Sequence, residues 1–241
     1  MYNALISAAV AVVVFVGLKL AFGSWWVAFL VAPLVALLVF YLISRIIMKK
    51  VMAIMEIANR DLQGQRADKA IGELKNAFVY GKWQMYVTGQ INAQIGMIYY
   101  MKRDFGKAFP YLEKSFFRNW AAMGMLAVSY MKRNKPQKMK ETFEKALQWS
   151  NKESLLWNLY GYCLTEIGDT AKAKEVLERG LKKLPGDEHL KGNLALLGEG
   201  KKMKMRGFGD MWFQFHLESI GTIQKHHAAA MGGSKRRIIR K

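Results

Sequence analysis

Residues 154–186 read SLLWNLYGYCLTEIGDTAKAKEVLERGLKKLPG, and this stretch decides the fold. Trp157, Tyr160, Gly161 and Leu164 recur at three- and four-residue steps, the spacing that puts side chains on one face of a helix. Gly168 interrupts the pattern, Ala173, Leu177 and Gly180 resume it, and Pro185 ends it. The same pattern lies 34 residues upstream in Met123, Leu126, Ala127, Tyr130, Asn134, Met139, Phe143 and Ala146. Asn134 falls where Gly168 stands, at a turn needing the left-handed conformation that Gly and Asn visit most readily.

A third copy is carried by Asn92, Ile95, Gly96, Tyr99, Ala108, Leu112 and Ser115, and a fainter fourth by Ile54, Ile57, Ala58, Ala70, Leu74 and Ala77. The offsets are uneven, 38 residues from Ile54 to Asn92 and 31 from Asn92 to Met123, so the turns between copies differ in length. The pattern resembles the tetratricopeptide repeat, a helix-turn-helix unit of about 34 residues. The resemblance implies an all-α solenoid of about three to four hairpins, each burying its apolar face on its neighbours. Large apolar residues in these slots, Trp157 included, read as packing.

The N-terminal segment has another composition. Residues 1–44 contain no Asp or Glu and one basic residue, Lys19. Asn3 to Phe22 and Trp25 to Ile47 are apolar runs, each near the roughly 20 residues that cross a bilayer as a helix. Gly23 and Ser24 separate them, so the expectation is a transmembrane hairpin with Trp25, Trp26 and Lys19 at one interface and Pro33 bending the second span. A cleaved signal peptide is the competing reading, but the first run lacks a basic leader and is long for one. Arg45, Lys49, Lys50 and Arg60 flank the exit of the second span, which orients both termini toward the cytoplasm, in a bacterial inner membrane. Nothing breaks Val51 to Arg60, so the second helix is expected to run on toward the repeats.

The expected organisation is a hairpin over 1–50, a solenoid with a capping helix over 51–206, and a tail over 207–241. Asp187 to Met205 reads as that capping helix, with Leu190, Leu194 and Leu197 on one face and Gly207 and Gly209 breaking it. Phe208, Met211, Trp212, Phe213, Phe215 and Leu217 then crowd a stretch that belongs to no repeat, more apolar surface than water tolerates without a use. These aromatics, Trp212 and Phe215 above all, are read either as filling a groove in the repeats or as lying at the membrane surface. Net charge is +19, and residues 201–241 hold ten Lys and Arg against two acidic residues. Lys235, Arg236 and Arg237 belong to a basic end read as disordered. Arg45, Lys49 and Lys50 beside the spans read as contacts to anionic lipid, with a plainly solvated basic surface as the equal alternative. Nucleic acid is the disfavoured partner, since no recognition motif accompanies the charge.

Catalytic chemistry is not legible. His189, His216, His226 and His227 do not form a metal-ligand array, Gly161 and Gly168 have no phosphate-loop spacing, and Cys163 has no cysteine partner. The reading is of a non-enzyme with no cofactor and no metal.

What the resemblance implies about function is a concave groove, lined by the first helix of each unit, that takes peptides or helices from protein partners. Its slots map to Gln90, Ala93, Met97, Tyr100 and Met101, then Ala121, Gly124, Val128 and Met131, then Leu155, Asn158, Tyr162 and Thr165. Ala93, Met97, Gly124 and Val128 stand where some family members clamp a carboxylate, so that mode is not supported. A Met-rich lining suits an amphipathic helix. The expectation is a membrane-anchored adaptor or scaffold. An assembly subunit contacting its complex through the hairpin is the runner-up, and a tethered nucleic-acid-binding protein the third reading. The tail can also cross into a second copy of the chain.

Overall fold

The computed structural model describes residues 1–219, 221, 222 and 224. Among them every regular element is helical. The helices are α1 (Tyr2–Phe22), α2 (Trp25–Gln63), α3 (Ala67–Asn76), α4 (Val87–Met101), α5 (Phe105–Glu113), α6 (Trp120–Lys132), α7 (Pro136–Trp149), α8 (Ser154–Glu166), α9 (Thr170–Lys183), α10 (Glu188–Gly198) and α11 (Asp210–Phe213). Two compact units result, Met1–Ala122 and the chain from Met123 onward.

One register repeats four times. A residue of positive φ ends the first helix of each hairpin: Gln65 (58°), Arg103 (62°), Asn134 (52°) and Gly168 (84°). The next residue's N–H then reaches the carbonyl five positions back, Arg66 to Asp61, Asp104 to Tyr99, Lys135 to Tyr130 and Asp169 to Leu164, at 2.8–3.0 Å. This is the bond of a Schellman helix end, which satisfies an orphan carbonyl. Seven residues before each turn stands a small buried residue, Ala58, Gly96, Ala127 or Gly161, and sixteen residues after that a large buried one, Leu74, Leu112, Phe143 or Leu177. The close approach is tight: a Cβ on Gly96 would lie 2.9 Å from Leu112 Cδ2, and one on Gly161 3.1 Å from Leu177 Cδ2. The hairpin geometry is therefore constant, and the uneven offsets reside between hairpins.

In the first unit, α1 packs on α2 across the turn at Gly23, whose φ of 65° lets its N–H bond back to the Lys19 carbonyl. Ala28 and Ala32 are buried, while most apolar side chains of both helices point outward, Leu20 and Trp26 each about 80% exposed. Lys19 Nζ sits 3.7 Å over the Trp25 ring, as expected for a lysine lifted to the level of the turn. Both helices are long and apolar enough to cross a membrane. Pro33 lies inside α2 without ending it, and α2 continues unbroken for 39 residues to Gln63. Its distal half enters the core with Ile47, Val51 and Ala58, together with Ala70, Ile71 and Leu74 of α3 and Ile91 and Ile95 of α4.

In the second unit the capping helix is shorter than expected. α10 stops at Gly198 rather than Met205. Gly200, at φ 71°, turns the chain, and the Lys201 N–H bonds the Leu196 carbonyl in the same helix-ending pattern. Gly198 and Gly200 supply the break there, ahead of Gly207 and Gly209.

A candidate protein-binding groove

The first helices of the second unit are α6, α8 and α10. Gly124 and Val128 on α6 and Leu155 and Asn158 on α8 are buried, and Met131, Tyr162 and Thr165 are half-buried. Over Gly124 and Tyr162 lies the chain's own segment after α10. From Gly200 it runs non-helically to Met205, makes one 3-10 turn over Arg206–Phe208, and enters α11. Gly209 permits that entry with φ 57° and ψ −136°, a backbone that side-chain-bearing residues rarely adopt.

The fit of this segment is close. Trp212 and Phe215 are both fully buried. The Trp212 ring meets the Tyr162 ring at 4.9 Å and 75°, an edge-to-face contact. Phe215 takes the space left by Gly124, where a Cβ would come within 3.0 Å of its Cε1 and 3.1 Å of Leu159 Cδ2. Burial raises the Tyr162 hydroxyl to about 12, and Glu166 adds to the effect.

Polar groups extend the seating. Asn158 Nδ2 donates to the Ser154 carbonyl at 2.9 Å, Asn193 Nδ2 donates to Asn158 Oδ1 at 2.8 Å, and the Lys204 N–H donates to Asn193 Oδ1 at 2.7 Å. Two buried amides thus pass from the body of the solenoid to the backbone of the covering segment, with no donor or acceptor in that line left unpaired. At the far end Lys132 Nζ donates to the His216 carbonyl at 3.0 Å. Glu218 accepts from Trp212 Nε1 at 3.4 Å and pairs with Arg206 at 3.2 Å. Asn193 was not among the slots mapped from sequence, although it stands 35 residues after Asn158 and so one repeat on.

This arrangement of paired helices is a known one. Residues 121–153 and 155–182 match the tetratricopeptide repeat. No curated protein and no solved structure matches the chain. The matched stretches cover α6 to α9; the two hairpins of the first unit have the same spacing of turn and close approach but lie outside the match.

The tetratricopeptide slots of the first unit present less surface than their spacing suggested. Ala93 and Tyr100 are buried, with Tyr100 edge-on to Phe105 at 5.0 Å, while Gln90, Met97 and Ala121 are half-buried and Met101 is 60% exposed. Arg45, Lys49 and Lys50 are exposed on α2. Lys235, Arg236 and Arg237, like His226 and His227, lie outside the described residues.

Among the described residues no three His, Cys, Asp or Glu side chains gather as metal ligands. Cys163 is buried within α8, and burial pushes its thiol well above the ordinary range, so it behaves as a small apolar side chain. Beside the covering segment an open cavity of about 990 Å³ mixes Lys201, Lys204 and Arg206 with Glu166 and Glu218.

Proposed function

We propose that this chain is a membrane-anchored adaptor: α1 and the first half of α2 span the bilayer, and the tetratricopeptide hairpins bind a protein partner on the cytoplasmic face. The observation that carries the reading is the continuity of α2. Its first half is exposed, apolar and free of acidic residues, and its second half is the first helix of a tetratricopeptide-like hairpin. A single helix then ties the bilayer to the first helical unit, with no flexible tether between the span and that unit. Basic Arg45, Lys49 and Lys50 support the cytoplasmic orientation.

The groove of the second unit already holds an apolar guest in Trp212 and Phe215. A partner using that groove displaces residues 203–219 and brings similar chemistry, two large apolar side chains about one helical turn apart for the space between Gly124, Leu159 and Tyr162. Repacking of an aromatic site by an amphipathic segment is a recurring recognition mode.

The test is affinity purification of the full-length protein from its native membrane, alongside a Trp212→Ala/Phe215→Ala variant and a Gly124→Leu variant. The first is expected to raise recovery of the groove partner, and the second, which fills the site, to abolish it. Equal recovery by all three, with loss on exchanging the hairpin for an unrelated one, supports the assembly-subunit reading instead.

A further inference from the structure

Residues 77–86, AFVYGKWQMY, join α3 to α4 and belong to neither hairpin's helices. Ten residues hold four aromatics, two further large apolar residues and a single charge, Lys82. The inner face is accounted for. Ala77 is buried in the core, and Phe78, Tyr80 and Trp83 pack against the same cluster as Ile43 and Met48 of α2. The outer face is open at Val79, 58% exposed, and Met85, 51% exposed, while the half-exposed Tyr86 sets its ring against Phe116 at 5.0 Å.

The position of this segment is what gives it meaning. The Asn3 N–H donates to the Trp83 carbonyl at 3.4 Å, and Tyr2 sets its ring edge-on to the Trp83 ring at 5.5 Å and 78°. The segment is therefore fastened to the first turn of α1, and its 3-10 turn, Ala77–Lys82, packs on α2. Met1, Tyr2 and Leu5 are themselves exposed and continue the apolar surface onto α1. The level is that at which α2 acquires its cations, Arg45, Lys49 and Lys50, all exposed, as Lys82 is.

We propose that residues 77–86, with Tyr2, form an aromatic collar lying in the headgroup layer of the bilayer leaflet beside the chain's N-terminus, with Lys82, Arg45, Lys49 and Lys50 against anionic headgroups. The proposal rests on the membrane-anchored reading above. Tyr and Trp rings settle at that depth because they have an apolar body and a polar edge, and cations there meet the negative surface of the leaflet. A lipid surface fits better than a protein partner because the exposed apolar face is continuous with that of the hairpin and is bordered by cations of one sign. The collar fixes the depth of α2 and presses the first helical unit onto the membrane.

The full chain is tested with one environment-sensitive fluorophore at a time, on cysteines introduced as Val79→Cys, Met85→Cys, Leu37→Cys or Lys114→Cys. Cys163 is replaced by Ala in each. Protein is reconstituted in vesicles of phosphatidylcholine with phosphatidylglycerol. Quenching is measured with lipids spin-labelled near the headgroup, with lipids spin-labelled deep in the chain, and with aqueous iodide. Positions 79 and 85 are expected to be quenched most by the shallow lipid label and several-fold less by iodide than position 114. That preference weakens when phosphatidylglycerol is omitted or when Lys82→Glu is added. If position 37 is quenched by the deep label while 79 and 85 are as open to iodide as 114, the collar is wrong and the anchor stands. If position 37 is itself open to iodide, the anchor fails and the collar with it.

Discussion

Trp212 and Tyr162 meet edge to face, ring centres 4.9 Å apart, so a residue beyond the last repeat completes the inner surface of a repeat helix. The largest fully buried side chain among the described residues belongs to the segment that sequence patterning could not place.

Truncating that anchor tests the seating. Trp212→Ala removes a fully buried aromatic, a change that costs about 3–5 kcal/mol in a core. Because the segment lies outside the paired helices of the repeats, the loss is expected as local release: trypsin cleavage at Lys201, Lys202 and Lys204 of the native protein accelerates while α6 to α9 stay intact. Unchanged cleavage kinetics would show that the aromatic does not hold the segment down.

Gly209 offers a second handle that leaves Trp212 in place. Gly209→Ala puts a Cβ on a backbone at φ 57° and ψ −136°, at about 1–3 kcal/mol. The same rise in trypsin sensitivity is expected. A Gly186→Ala control, at a turn where an added Cβ meets nothing within 4 Å, should leave cleavage as it is.

The hairpin register is tested at Gly161. Gly161→Leu forces a side chain against Leu177 and Met203 and is expected to destabilise the second unit by about 1–3 kcal/mol. Lys172→Ala removes an exposed pair with Glu175 and should move the urea midpoint by less than about 0.5 kcal/mol equivalent. Equal melts for the two variants would refute the register.

Successive second helices are cross-linked by ion pairs, Glu144 to Arg179 at 2.7 and 2.8 Å and Lys140 to Asp169 at 2.6 Å. Hydrogen bonds from Arg179 hold the Glu144 carboxyl below its usual range, and the bond from Lys140 does the same for Asp169. With folded values depressed, their stabilisation is complete above the ordinary carboxylate range near about 4 and disappears as pH falls through the lowered values. Both pairs are partly exposed, so the effect is modest. The urea midpoint is expected to fall as pH drops below about 5 and on through the lowered values, and less steeply in Arg179→Gln/Lys140→Met. Identical slopes in variant and parent would remove these pairs from the explanation.

Cys163 gives a reporter without mutation. A buried thiol with a raised ionisation threshold should resist a thiol-reactive dye in the native protein and react only as fast as α8 becomes exposed. Immediate labelling in the folded state would place α8 differently.

The sequence alone determined the all-α class, the hairpin register and the two apolar runs, because each rests on spacing along one helix or on a single turn. Gly168 and Asn134 announced left-handed turns since they are residues that enter that region cheaply. Gln65 and Arg103 take the same turn without any such signal, because packing of Ala58 on α2 and Gly96 on α4 against their partner helices imposes it. The end of α10 was misplaced for a related reason. Lys201 to Met205 has acceptable helix formers, and only the bond that the Lys204 N–H donates to Asn193 Oδ1 shows why that stretch runs non-helically across the repeats. Which slots of the groove stay open was likewise beyond sequence, since Trp212 and Phe215 reach Tyr162 and Gly124 across some 50 and 90 residues of chain. Helical periodicity encodes which face of an element is apolar; what that face meets is decided by the tertiary path of the chain, where close packing selects among distant apolar partners that composition cannot tell apart.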